Sequence, residues 1–472
     1  MRRLVISICV LGLLAGATPA QAASGTGSEN MSHVTTLSYG RQYGMDRPFG
    51  TDIEFARIGG REYAFAGTYR NGLQIIDITN PRRPRLTAVY DCALAQGDVQ
   101  VFRRGSRTLV AYAGDDYSAQ TLTESGCYSD LGIREKKYGT FIVDVSKPTD
   151  PRTVGFVSIP LGSHNQTVHP SGRYLYNSNA DLAIGGGVEI FDITTLGRAK
   201  RLGVLPLITG LESHDITFNE SGNRAYVAAL THTLILDTTN PRKPEVIGRI
   251  LDPAINIHHQ SDPITIDDPV LGKRTFLVVT DELAGAAGNG FCPGGGLHVY
   301  DITGPLEATP LKVGFWNMPD VRPATDNITC TSHVLRFYPE QKLMTIAWYE
   351  AGVRVVDVSS LVGVSLGLTP DVGNIGMGMR EIGHYTMPNA DTWSAKTNKI
   401  EKDGSFYLFG NDINRGLDVY RFDARKPRSG VAPGSWLTPV QAMVAAKDRG
   451  ITAVSPTNAP VCILLGTGGL TL

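Results

Sequence analysis

An excess of charge of either sign is missing from this chain. Its 472 residues hold 44 Lys and Arg against 45 Asp and Glu, and the basic residues are scattered. Without a basic stripe there is no footprint for a phosphate backbone, so nucleic acid is excluded as a partner class. Beyond the N-terminus no apolar run reaches the ~20 residues that a membrane span requires. Helical periodicity is almost absent between residues 49 and 423. Several short signatures of chemistry are missing too. There is no GxSxG elbow, no GK[ST] after the Gly-rich stretch at 285–296, no CxxC pair and no DxDxDG loop. These absences argue against a serine-hydrolase elbow, a phosphate-cradling loop, a thiol-rich zinc site and a calcium loop.

At the N-terminus Arg2 and Arg3 precede an apolar run at 4–15, and Ala20-Gln21-Ala22 is a small-x-small cleavage pattern. Residues 1–22 are therefore expected to be a secretory signal peptide. Cys9 lies inside the apolar run rather than at the cleavage point, so a lipoprotein anchor is not expected. The expected location is secreted, extracellular or associated with the cell envelope, with no membrane span.

What the chain does have is one short phrase, seven times over. It reads GLQIIDITNPRRP at 72–84, YGTFIVDVSKPTDP at 138–151, GVEIFDIT at 187–194, TLILDTTNPRKP at 233–244, GLHVYDIT at 296–303, GVRVVDVS at 352–359 and a degenerate GLDVYRFD at 416–423. Each is an apolar/polar alternation closed by Asp and Ser or Thr, the pattern of a strand running into a turn. The aspartates of the first six, Asp77, Asp144, Asp192, Asp237, Asp301 and Asp357, are spaced by 45 to 67 residues. Two apolar runs precede each copy and a fourth follows most of them. Four short strands per period describe a propeller blade. The predicted fold is all-β: a seven-bladed β-propeller over residues 33–430, closed by an N-terminal strand (33–40) in the last blade. Closure of that kind removes exposed strand edges. Residues 431–472 are read as a C-terminal tail packed on the ring, with a short helix after Thr438.

The phrase GLQIIDITNPRRP resembles the LVIVD repeat of secreted and cell-surface bacterial β-propellers. The resemblance covers most of 49–423 and implies the fold, but no particular activity. The seventh copy departs from it, with Arg421 where Asp is expected.

Beyond the leader there are five cysteines. In a propeller, the connection into a blade's first strand and the loop between its second and third strands lie on one face. Cys92 and Cys127 occupy those places in blade 2; Cys292 and Cys330 occupy them in blades 5 and 6. The expected disulfides are Cys92–Cys127 and Cys292–Cys330, with Cys462 left over in the tail.

Four histidines recur at one place in consecutive units: His164 (GSHNQ), His214 (ESHDI), His258 or His259 (IHHQS) and His333 (TSHVL). Each opens a first strand, and first strands line the central channel. Spacing favours His259 over His258. Asp52, Asp98 and Asp391 stand near the equivalent position in blades 1, 2 and 7. Second strands end on the same face with Asp115-Asp116, Asp281-Glu282, Glu350 and Asp412. Imidazole is the commonest ligand of copper, iron and zinc. His164, His214, His259 and His333 are thus expected to hold one such ion at the channel mouth, with Glu212, Asp215 or Asp262 orienting the rings. The architectural alternative is that each ring bonds the backbone of a neighbouring blade. His33, His169, His232, His298 and His384 do not share the position and are read as structural. So are the repeat aspartates, as caps of the turns that follow them.

Two functional classes stay open. One is a binding propeller taking a protein, glycan or small molecule at its channel face. The other is a metal-dependent oxidoreductase using copper or iron, similar in layout to the propeller thiol oxidases of the selenium-binding-protein type. A propeller hydrolase or lactonase is a lesser third.

Overall fold

The computed structural model describes residues 25–40, 44–114, 125–133, 139–159, 163–179, 187–207, 213–282, 291–319, 322–323, 330–364 and 378–426. The leader, the tail with Cys462, Asp115, Asp116 and Glu212 fall outside them. The described chain forms seven antiparallel sheets of four strands, one of them extended to five, and a two-stranded ribbon. Blades 1 to 6 follow chain order. Blade 4, for example, is Asp215–Phe218, Arg224–Ala228, Thr233–Asp237 and Glu245–Ile250.

The last blade is completed from the other end of the chain, as expected. Thr392–Lys396, Phe406–Asp412 and Gly416–Phe422 are joined by Met31–Leu37, antiparallel, with Met31 opposite Phe422 and Leu37 opposite Leu417. The observed strand starts two residues earlier than 33–40. A further pair, Thr26–Gly27, adds a fifth strand to blade 6 beside Arg380–Thr386. Two residues carry too little pattern to be seen in sequence. Among the described residues no helix is long and apolar enough to cross a membrane.

Hydrogen bonds between inner strands run round the whole ring. Thr51 Oγ1 donates to Gly97 O (3.2 Å), Gln166 Nε2 to Asp98 (3.1 Å), Thr167 Oγ1 to Ile216 O (2.6 Å) and Thr217 Oγ1 to Asp262. Gln260 Nε2 donates to Leu335 O (3.2 Å), Val334 pairs with Ser394, and Ser394 Oγ returns to Thr51 O at 3.0 Å. Apolar clusters fill the wedges between blades, such as Phe276, Val278 and Val299 with Met344, Ile346 and Trp348.

The repeated phrase explains itself in these bonds. All six aspartates accept the backbone N–H two residues on: Asp77 from Thr79 (3.0 Å), Asp144 from Ser146, Asp192 from Thr194, Asp237 from Thr239, Asp301 from Thr303 and Asp357 from Ser359. Each also faces an arginine, for instance Arg107 on Asp144 and Arg274 on Asp301. The Asp is an Asx-turn cap between the third and fourth strands. Burial then ranks the copies, since Asp301 is fully buried whereas Asp237 is about one-third exposed. Asp301→Ala should destabilise the protein by about 2 kcal/mol and Asp237→Ala by about half that, because a buried partner left unsatisfied costs more. Guanidinium denaturation of the two variants checks the order.

Candidate metal centre

Each candidate histidine lies where a chain segment enters an inner strand, and its backbone is pinned before its ring is placed. The N–H groups of His164, His214 and His333 donate to Ser178 O (2.8 Å), Ala228 O (2.8 Å) and Ala347 O (3.1 Å), at the ends of their own second strands. His259 is handled differently. The pairing of His258–Asp268 with Gly272–Asp281 slips between His258 and Gln260, so His259 stands in a β-bulge. Bulges re-aim side chains. Here His258 points away to Thr233 Oγ1 (2.9 Å), and His259 joins the cluster.

The four rings form one arc. Centroids are 4.1 Å apart for His164 and His214, 4.4 Å for His214 and His259, and 4.2 Å for His259 and His333. All four residues are buried. Two of them, His259 and His333, also line the central channel.

Two rings bond the next blade through one nitrogen only. His214 Nδ1 donates to His259 O (3.1 Å) and His333 Nδ1 to Trp393 O (2.6 Å). A carbonyl can only accept, so Nδ1 carries the proton and Nε2 the lone pair. Nδ1 of each thus makes the bond to a neighbouring blade that the architectural alternative expects, and Nε2 keeps its lone pair. His214 Nε2, His333 Nε2 and both nitrogens of His259 are buried with no hydrogen-bond partner. Buried polar atoms are rarely left that way.

Glu282, at the end of blade 5's second strand, faces this lone-pair side. Its carboxyl oxygens lie 3.6 Å from His259 Nε2 and 3.6 Å from His333 Nε2, and one accepts from Tyr349 Oη at 2.9 Å. Single donor atoms of His214, His259 and Glu282 all lie within 4.8 Å of one another. Four-coordinate sites with bonds of about 2.1 Å place donors about 3.4 Å apart, so small adjustments suffice to close on an ion. Tyr349 itself is held at φ 40°, outside ordinary backbone space for a non-glycine residue, and its ring packs on His333 at 4.5 Å. Strain of this kind concentrates at functional sites.

The electrostatics suit a cation. Burial, then the neighbouring imidazoles, pushes His214 and His259 well below the ordinary histidine range, and burial pushes His333 down to about 3. The rings are neutral, the state that binds metals.

The other expected orienting groups are elsewhere. Asp215 caps the N–H of Ile216 (2.6 Å) and Asp262 accepts from Thr217, so neither carboxyl is bonded to a ring. Both instead line a channel of about 1490 Å³ whose wall also includes His259, His333 and Trp393. Asp52 and Asp98 line it as well. Asp391 is tied to Asp412 through its N–H (2.8 Å). Burial, then Asp52 and Asp215, raises Asp98 to about 8; burial, then Asp262, raises Asp215 to about 7. In the same wall Lys396 Nζ bonds Asp52 (2.6 Å) and Glu54 (2.9 Å), and Arg336 pairs with Glu54. Lys396 and Arg336 carry no repeat signal and were not legible as site residues; Glu282 was visible only as one of several second-strand carboxylates. The five remaining histidines lie outside the arc, such as His169 bonded to Gly222 O (2.8 Å) and His384 to Glu381 (2.7 Å).

Both expected disulfides are present, Cys92–Cys127 and Cys292–Cys330.

Among curated proteins, none matches the sequence. Solved structures similar to it include a functionally unknown protein from Desulfotomaculum acetoxidans DSM 771, at 14% identity over 67% of this chain and 84% of that one, with a TM-score of 0.43. Another is the C-terminal WD40 domain of Sif2, at 10% identity over 79% of this chain and 81% of that one, with a TM-score of 0.45. The LVIVD repeat model matches residues 61–92, which run from the second to the fourth strand of blade 1. With seven blades closed in a ring, the chain is a seven-bladed β-propeller whose first blade carries a match to the LVIVD repeat.

Proposed function

We propose that this propeller binds one first-row transition-metal ion through His214, His259, His333 and Glu282, with His164 completing the arc. The observation that carries this reading is the set of buried imidazole nitrogens without partners, turned toward a carboxyl group at ligand distance. A nitrogen and oxygen donor set without sulfur suits iron, copper or zinc. The channel that His259 and His333 line gives a small polar molecule a route to the ion. Access of that kind is a property of catalytic sites, whereas structural sites are closed. With copper or iron the corresponding activity is that of an oxidoreductase. Two disulfides suit an oxidising compartment, which supports export through the 1–22 leader.

The test is metal analysis of the purified protein, followed by reconstitution of chelated protein with copper, iron and zinc in turn. About one ion per chain is expected for at least one of them, with the metal-free protein equally folded by circular dichroism. Failure of all three to bind removes this function.

A further inference from the structure

We propose that the Cys292–Cys330 disulfide positions the metal centre, holding His333 against Glu282, and that its two-electron reduction to two thiols by an external thiol or phosphine loosens the imidazole site's hold on the ion. The inference rests on the metal reading above and concerns how that site is controlled.

His333 precedes its strand, Leu335–Tyr338, and so has no ladder of its own to fix it. Its own blade supplies the bond from its N–H to Ala347, of the same kind that His164 and His214 make. The His333 ring bonds Trp393 O of blade 7, and the segment just before it has a further set of anchors that leads to blade 5. Cys330, three residues before it, is disulfide-bonded to Cys292 and accepts at its carbonyl from Gly294 N–H (2.6 Å). Gly294 also pairs with Thr331. Ser332 Oγ donates to Asp281 O at 2.8 Å and accepts from Gly296 N–H at 3.2 Å. Gly295, at φ 63°, presses so closely on Asp281 that a Cβ there would run into its carbonyl oxygen. Asp281 is the residue before Glu282. The staple thus clamps the segment bearing one ligand onto the backbone bearing another, across a blade boundary. A ligand misplaced by about 1 Å loses most of its bond, and pre-organisation of this sort is what supporting groups provide.

The protein contains its own control. Cys92–Cys127 closes a loop of similar length, 35 residues against 38, at the corresponding place on blade 2, which contributes no histidine to the arc. Loss of either disulfide should destabilise the fold to a similar extent, since chain-entropy stabilisation depends weakly on loop length. Only one should change the site.

The experiment uses cobalt(II) as the probe, read by equilibrium dialysis and by its d–d absorption, on full-length exported protein. Three proteins are compared: the oxidised wild type, Cys92→Ser/Cys127→Ser and Cys292→Ser/Cys330→Ser. Expected are wild-type affinity within about twofold for the first variant, and a loss of at least about tenfold with an altered d–d spectrum for the second. If Cys292→Ser/Cys330→Ser does not fold, the folded Cys92→Ser/Cys127→Ser protein is reduced with a phosphine, leaving no other disulfide among the described residues. Reduction frees two thiols within 4.8 Å of Glu350 that can themselves ligate the ion. A cobalt–thiolate charge-transfer band therefore counts as departure from the imidazoles. Equal affinity and spectra in both variants, or equal losses in both, overturn the inference alone. A wild type that takes up no cobalt overturns the metal reading, and this inference with it.

Discussion

Replacing Glu282 by Gln should lower metal affinity by at least about 100-fold while the propeller stays folded. The expectation follows from what each ligand brings. The three imidazoles are neutral and contribute lone pairs only, whereas Glu282 is, among the described residues, the carboxyl group at ligand distance from His259 and His333. Gln keeps the shape and can still accept from Tyr349, but it brings no negative charge to a divalent ion. Loss of groups that merely orient ligands already costs about 10- to 100-fold, and loss of a charged ligand costs more. Asp262→Asn is the matched control. Its carboxyl lies in the channel wall bonded to Thr217 and touches no imidazole, so affinity should stay within about threefold of wild type. Isothermal titration of both variants with the metal that loads the wild type measures the contrast. Equal losses would mean that the channel's overall negative charge, rather than ligation by Glu282, attracts the ion.

That contrast also marks where sequence reasoning ends. Period and phrase reveal the blades, because each copy must repeat the same alternation and the same Asp cap to build the same sheet. The shared strand-start position of His164, His214, His259 and His333 is legible for the same reason, and so is the pairing of four cysteines that topology places on one face. The residues that complete the site are of another kind. Glu282 follows a strand whose counterparts in other blades end differently, and nothing in its surroundings separates it from Glu350 or Asp412. His259 is selected over His258 by a bulge, which is a property of pairing and not of composition. Asp215 and Asp262 stand close in sequence to ring-bearing residues, yet strand alternation and the neighbouring blade's Thr217 turn them into the channel. Lys396 meets Asp52 only because the last blade closes on the first, over a separation of 344 residues.

That last contact leads to the other large effect: Lys396→Met should destabilise the protein by about 3–5 kcal/mol at pH 7, and the deficit should shrink in acid. Lys396 is buried, and its ammonium lies between Asp52 and Glu54 while Arg336 reaches Glu54 from blade 6. Burial alone would discharge the lysine, but Asp52 and Glu54 outweigh it and raise its pKa. Burial likewise works against ionisation of Glu54, yet Arg336 and Lys396 hold it at about 2, below its ordinary 4.5. A carboxyl with a depressed native pKa binds fewer protons folded than unfolded. It therefore stabilises the fold above pH ~4.5, and that contribution is lost as pH falls from ~4.5 toward ~2. Removing one partner of a buried ion cluster leaves uncompensated charge, which is the source of the 3–5 kcal/mol. In the Met variant, Asp52 and Glu54 regain a neutral form by taking up protons at higher pH than in the wild type. Acid thus relieves the variant before it harms the parent, and the gap between them should narrow on going from pH 7 to pH 4. Guanidinium denaturation of both proteins at the two pH values gives the comparison. A pH-independent gap would mean that the ionisation of Asp52 and Glu54 is not coupled to Lys396, and the closure between blades 6, 7 and 1 would then owe nothing to that charge cluster.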